Sequence, residues 1–259
     1  MPGPVERALR ERRDTGGKAL VVYVTGGLGD DWTDTVRAVA DAGADVIEIG
    51  VPFSDPVMDG PTIQAANDRA LSSGATPSSI LNQVRDLDAG VPLAVMTYYN
   101  IAFRAGLERF AASLAAAGVS GCILPDLPLE ETGPWVGVAD DAGIETILLA
   151  APTGSDERLA RVCARSRGFV YGVGLLGVTG VRSELAASAS VIAARLKKLT
   201  DLPVLVGVGV GTPEQAVEAA AAGDGVVVGS AVVQRMLDGA GPAGVGELVS
   251  GFRAALDGV

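Results

Sequence analysis

The residues in this chain best suited to chemistry are two carboxylates, Glu48 and Asp59, eleven positions apart. Glu48 sits inside Val46–Ile49, whose valine and isoleucine point to both faces, as in a strand covered on both sides. An acid there is costly unless it is paired, solvated or used. Asp59 follows a turn rich in glycine and proline and stands just before a helix that Pro61 can open. A dry acid and a wetter one beyond the same strand end would have different pKa values, which suits proton transfer in a lyase or isomerase. Caps, edge positions or salt bridges explain many such acids, and that bland reading stays open for each.

Histidine is absent from the 259 residues, which excludes histidine-dependent triads, zinc sites and proton shuttles. Acid–base work must then fall to carboxylates, tyrosine, lysine or cysteine. Cys122 lies in an apparent core strand and Cys163 in a helix, and buried free thiols are the simpler reading for both. The formal net charge of -11 argues against nucleic acid and anionic membrane as partners. The first twenty residues are charged, and no apolar run is long enough to span a bilayer. A cytoplasmic protein is expected.

Those acids must be held by a scaffold. Eight apolar segments read as strands: Leu20–Thr25, Val46–Ile49, Pro92–Thr97, Val119–Leu124, Glu145–Ala150, Phe169–Val173, Leu202–Gly207 and Asp224–Val228. Helical patterns separate them, including 61–71, 107–117, 130–142 and 183–199. A charged helix over 5–13 precedes the series as a lid across one end. Thr212–Pro213–Glu214–Gln215 is a capping box with proline at the first helical position. No linker interrupts the series, so residues 1–259 are expected to form one (β/α)8 barrel domain. A doubly wound sheet is the rival, but its phosphate loop belongs after strand one. Here the glycine-rich loops come late.

Functional residues of a barrel belong at the carboxyl ends of its strands. Three segments there could cradle an anion: Val178–Thr179–Gly180, Gly207–Gly211, and Gly229–Ser230 at a helix start. Tight turns alone would also explain them. Tyr171 in strand six is either a packed aromatic or a neighbour of the substrate. Tyr98, Tyr99 and Asn100 follow strand three, and Asp126, which reads equally as a turn cap, follows strand four. Asp55, in the loop after strand two, reads equally as a solvated turn acid.

The segment VPFSDPVMDGPTIQ, with MTYYN, PDLPLEE, GVTG and the late VGS, resembles the tryptophan synthase alpha chain over nearly the whole length. The resemblance implies a (β/α)8 barrel that cleaves indole-3-glycerol phosphate to indole and glyceraldehyde 3-phosphate. It implies no cofactor in this chain and a beta-chain partner that carries pyridoxal phosphate. Residue by residue, Glu48 matches the acid–base carboxylate, Asp59 the acid holding the indole N–H, and Tyr171 the aromatic beside them. Gly180, Gly209, Gly229 and Ser230 match phosphate-binding positions, as does Val208, where phenylalanine is common. Asp55 matches a loop residue that senses the beta chain, and Tyr23, Tyr98 and Asn100 match pocket and interface positions.

Three departures stand out. Gly174 and Leu175 replace the polar pair usual before GVTG, Gly211 replaces a serine, and the first turn has become Gly26–Gly27–Leu28–Gly29. They leave open a free-standing indole-releasing lyase, or a silent barrel that only activates a beta chain. Retention of both acids argues against the silent form.

Overall fold

The computed structural model describes residues 1–174, 182–207 and 209–259. Its centre is a closed barrel of eight parallel strands in sequence order. These are β1 (Ala19–Thr25), β2 (Val46–Gly50), β3 (Leu93–Met96), β4 (Val119–Ile123), β5 (Glu145–Ala150), β6 (Val170–Val173), β7 (Val204–Gly207) and β8 (Gly225–Val228). Closure is direct, because Ala19 to Val22 of β1 pair with Gly225 to Val228 of β8. The doubly wound alternative is thereby excluded. Full pairing leaves no open edge, and ligand access falls to the loops at the strand ends.

The strand period of two decides what each residue does. In β2, Ile47 and Ile49 face the helical layer, while Val46 joins the cluster that fills the lumen. Glu48 is in phase with Val46, so the same alternation turns its side chain inward. Ala94, Ile123, Ile147, Leu205 and Val227 from other strands, with Phe169 just before β6, join Val46 in filling the lumen.

The amino-terminal helix α1 (Pro4–Asp14) closes the amino end of the barrel. Val5 and Leu9 are fully buried within the lumen cluster. Gly3 offers no side-chain cap, and Glu145 at the start of β5 supplies one from across the chain. Its carboxylate accepts the Val5 N–H at 2.7 Å and the Glu6 N–H at 3.0 Å. Those are two donors that a helix start otherwise leaves unpaired.

The outer layer continues with α2 (Trp32–Asp41), α3 (Pro61–Ser72), α4 (Pro77–Arg85), α5 (Tyr99–Ala105) and α6 (Leu107–Ala116). It is completed by α7 (Gly133–Asp141), α8 (Asp156–Arg165), α9 (Arg182–Leu196), α10 (Pro213–Ala220), α11 (Ser230–Leu237) and α12 (Gly241–Asp257). Two elements depart from the sequence expectation. The pattern over 130–142 divides into a 3-10 turn, Leu129–Glu131, and α7, whose first residues are Gly133 and Pro134. Helix α5 has no counterpart in the apolar pattern. The Tyr99 N–H at its start donates to Asp126 Oδ1 at 2.8 Å, and Gly106 at φ 86° ends it. Among the described residues no helix is long and apolar enough to cross a membrane.

Candidate active site

At the carboxyl ends of the strands lies a cavity of about 250 Å³. Its walls include Tyr23, Glu48, Asp59, Tyr171, Gly209, Gly229 and Ser230. Seven positions singled out from the sequence, drawn from β1, β2 and β6 and from the segments after β2, β7 and β8, thus meet at one opening. Gly180 and Val208 lie outside the described residues. Asp55 and Asn100 are exposed beyond the cavity, and Tyr98 is buried behind Met58 and Asp59.

Glu48 forms the floor. It is 1% exposed, and its Oε2 has no hydrogen-bond partner among the described residues. Burial, reinforced by the nearby charge of Asp59, pushes its pKa up to about 8. The carboxyl therefore holds its proton at neutral pH, ready to be given and taken back.

Asp59 is half-buried rather than freely solvated. Burial raises its pKa, while hydrogen bonding from Asn67 and Tyr98 draws it back down. Asn67 Nδ2 donates to Asp59 Oδ2 at 3.2 Å, and Gln64 Nε2 holds the Asp59 carbonyl at 2.7 Å. Burial thus raises both acids, but at Asp59 two hydrogen-bonding side chains offset part of it, whereas nothing among the described residues offsets it at Glu48. Asn67 escaped the sequence reading although it carried a signal. It shares the buried stripe Ile63, Ala66, Asn67, Ala70 of α3, where an amide is out of character.

Two tyrosines flank the acids, and glycines on neighbouring strands make room for both. Tyr23 pairs with Glu48 in the β1–β2 register, and a Cβ on Gly50 would come within 1.8 Å of its hydroxyl. Tyr171 pairs with Leu205 in the β6–β7 register, and a Cβ on Gly207 would come within 2.5 Å of its ring. Burial raises both phenols well above their ordinary range, so both stay protonated. Met58, Ile63, Met96, Leu149 and Val227 supply the apolar walls, which single residues in a sequence do not announce.

In the same lining, helix α11 begins at Ser230 behind Gly229, and no side chain among the described residues caps its first N–H groups. Helix α10 differs, because Thr212 and Gln215 form the expected capping box and already occupy its start. Of these two starts, α11 offers free donors to an anion, beside Gly209 at φ 67°.

A dry acid beneath the carboxyl ends of a closed parallel barrel, with anion donors across the opening, is the equipment of a (β/α)8-barrel lyase. Residues 9–243 match the family model described as tryptophan synthase alpha chain. The tryptophan synthase alpha chain of Thermobifida fusca is 48% identical over 240 residues, covering 90% of this chain and 89% of that one. The Streptomyces coelicolor alpha chain is 46% identical, covering 89% and 86%. Among solved structures, Mycobacterium tuberculosis tryptophan synthase aligns with a TM-score of 0.91 at 37% identity, covering 99% of each chain. The alpha subunit of Legionella pneumophila aligns at 0.89 with 32% identity over the full length of both. The chain belongs to the tryptophan synthase alpha chain family. Its activity is the family's carbon–carbon lyase reaction, retro-aldol cleavage of indole-3-glycerol phosphate.

Proposed function

We propose that Glu48 carries both proton transfers of this cleavage, with Asp59 as its electrostatic partner and the α11 start as the phosphate seat. Glu48, as the neutral acid, protonates indole C3. Positive charge then grows on the indole nitrogen, whose N–H points at the Asp59 carboxylate. The Glu48 carboxylate next removes the glycerol hydroxyl proton. The C–C bond breaks, its electron pair restores the indole ring, and the aldehyde of glyceraldehyde 3-phosphate forms. Glu48 ends as it began, protonated.

The observation that carries this reading is the buried Glu48 Oε2 in the cavity, without a hydrogen-bond partner among the described residues. Glu48→Gln keeps the shape and removes the titrating group. Indole release should fall by roughly 10²–10⁴-fold, the range of general acid–base catalysis. Retention of more than about a tenth of wild-type turnover by a folded variant would refute the assignment.

The phosphate is held by Gly209, Gly229 and Ser230, with Gly180 and Val208 completing the seat by family resemblance. Tyr23 and Tyr171 wall the indole. A tryptophan synthase beta chain is the proposed partner, and it would bring the pyridoxal phosphate. Val57, in the loop after β2, is 76% exposed, and Phe103, on α5 after β3, is 63% exposed. Exposed apolar side chains on a loop and a neighbouring helix of the active-site end suit a docking surface, with Asp55 and Asn100 at its polar margin. Indole release measured with and without the host's beta chain tests this, together with the molar mass of the mixture. Ten-fold activation and a 1:1 complex support the subunit, and full activity without a complex supports the free-standing lyase. A cytoplasmic location fits either.

A further inference from the structure

Tyr98 is 4% exposed at the junction of β3 and α5. Its ring stacks on Phe53, with centroids 4.9 Å apart and planes inclined by 22°. Its hydroxyl accepts the Met58 N–H at 2.9 Å. One side chain thus grips the segment between β2 and α3 on both sides of its exposed tip, Asp55 and Val57. Next along that segment is Asp59, whose carboxyl is drawn toward ionisation by the same hydroxyl. Burial pushes the Tyr98 phenol up to about 12, so it remains a donor throughout the neutral range.

We infer that Tyr98 is a positioning residue for the cleavage, fixing the Asp59 carboxylate and tying its placement to the exposed tip of the segment 53–58. The inference rests on the reading of Asp59 given above and adds a mechanical route to it. Displacement of the tip acts on Phe53 or Met58, either displacement is felt by Tyr98, and the Tyr98 hydroxyl passes it to the acid. The groups facing Asp59 are Glu48 from β2, Tyr23 from β1, Tyr98 from the end of β3, and the uncharged amide of Asn67 from α3. Both phenols stay neutral near pH 7. Glu48 titrates on the alkaline side, so a change on the acid side of the activity profile reports Asp59.

Tyr98→Phe keeps the stacked ring and deletes only the hydroxyl. With indole-3-glycerol phosphate as substrate, kcat should fall about ten-fold or more, as for loss of a hydrogen bond to a charged group. KM should change by no more than about three-fold, because the interaction lost is felt in the transition state. The acid-side limb of the kcat profile should move up by about one pH unit. Phe53→Ala should impair wild type and add little in the Tyr98→Phe background, since both act along one route. An unmoved acid limb, or additive effects of the two substitutions, would overturn the inference, and neither depends on the size of the kcat loss. Asp59→Asn, assayed in parallel, separates the two levels. Full activity of that variant removes the role of Asp59 itself. Impairment of Asp59→Asn with an unmoved limb in Tyr98→Phe removes only the role of Tyr98.

Discussion

The Asn67 amide reaches back from the second turn of α3 to donate to Asp59 at 3.2 Å, and its own carbonyl oxygen is buried without a partner among the described residues. A buried orphan acceptor is normally selected against, and here it accompanies a donor aimed at Asp59, the proposed electrostatic partner of Glu48. Asn67→Ala should lower kcat/KM by about ten-fold, the scale of one hydrogen bond to a charged group. Asn67→Asp should do more harm, because it places a like charge against Asp59. Steady-state indole release measures both. An alanine variant with unchanged kcat/KM would show that the contact only packs the helix.

The pH dependence follows from the unequal environments of the two acids. In the proposed cleavage Glu48 begins protonated, and burial pushes its pKa up to about 8. Activity should therefore decline above that pH and approach a ten-fold loss per unit. Asp59 contributes to raising Glu48, so Asp59→Asn should move the alkaline limb to lower pH. A profile flat to pH 10 would exclude Glu48 as the proton donor.

Glu48 also weighs on stability. Its folded pKa of about 8 exceeds the ordinary 4.5, so folding takes up a proton between these values. Wild-type stability should then fall as pH rises through that window, by at most about 1.4 kcal/mol per unit from this group. Glutamine cannot titrate. The stability of Glu48→Gln relative to wild type should rise from pH 5 to pH 8 and level off beyond, as followed by urea denaturation. A difference independent of pH would contradict the buried, protonated carboxyl.

The proposed phosphate seat separates charge from shape. A Cβ at Gly229 would lie 3.4 Å from Tyr23 Cβ, an ordinary contact, and the backbone there has φ -121°. Gly229→Ala should bind substrate nearly as well as wild type. Gly229→Asp should raise KM and weaken inhibition by inorganic phosphate by at least about ten-fold, since a carboxylate would face the anion. Equal losses in both variants would point to packing instead.

At the other end of the barrel, Glu145→Ala should cost about 1–3 kcal/mol, because the Val5 and Glu6 N–H groups lose a buried acceptor. Denaturant midpoints measure the loss, with indole release at neutral pH changed little. An unchanged midpoint would mean that α1 is held by Val5 and Leu9 alone.

Much of this was legible because it rests on local periodicity. The eight strands are short apolar runs between turn residues, and Thr212 and Gln215 carry a cap readable as a pattern of types. Glu48 stood out because a charge interrupts such a run. Asn67, Tyr98 and Phe53 depend on contacts made across elements. Amides and aromatics occur everywhere, and only the folded barrel shows that Asn67 and Tyr98 reach Asp59 while Phe53 stacks on Tyr98. Helix α5 was hidden for a similar reason, since Asp126, in the loop after the next strand, receives its first N–H. The Asp59 environment was read as wetter than it is, because loop composition does not reveal that Asn67 and Tyr98 cover it.

The paired tyrosines and glycines at the cavity floor bear on how this pocket can be inherited or redesigned. Tyr23 with Gly50, and Tyr171 with Gly207, each share one volume between two strands. A side chain at either glycine is possible only if the facing ring shrinks, and a smaller ring alone leaves a hole beside the substrate. Each pair is therefore one unit of variation, and a lineage or an engineer exploring other substrates must change both members in a single step. Those two strand junctions should drift slowly, while the apolar walls at Met58, Met96 and Leu149 remain free to change one residue at a time.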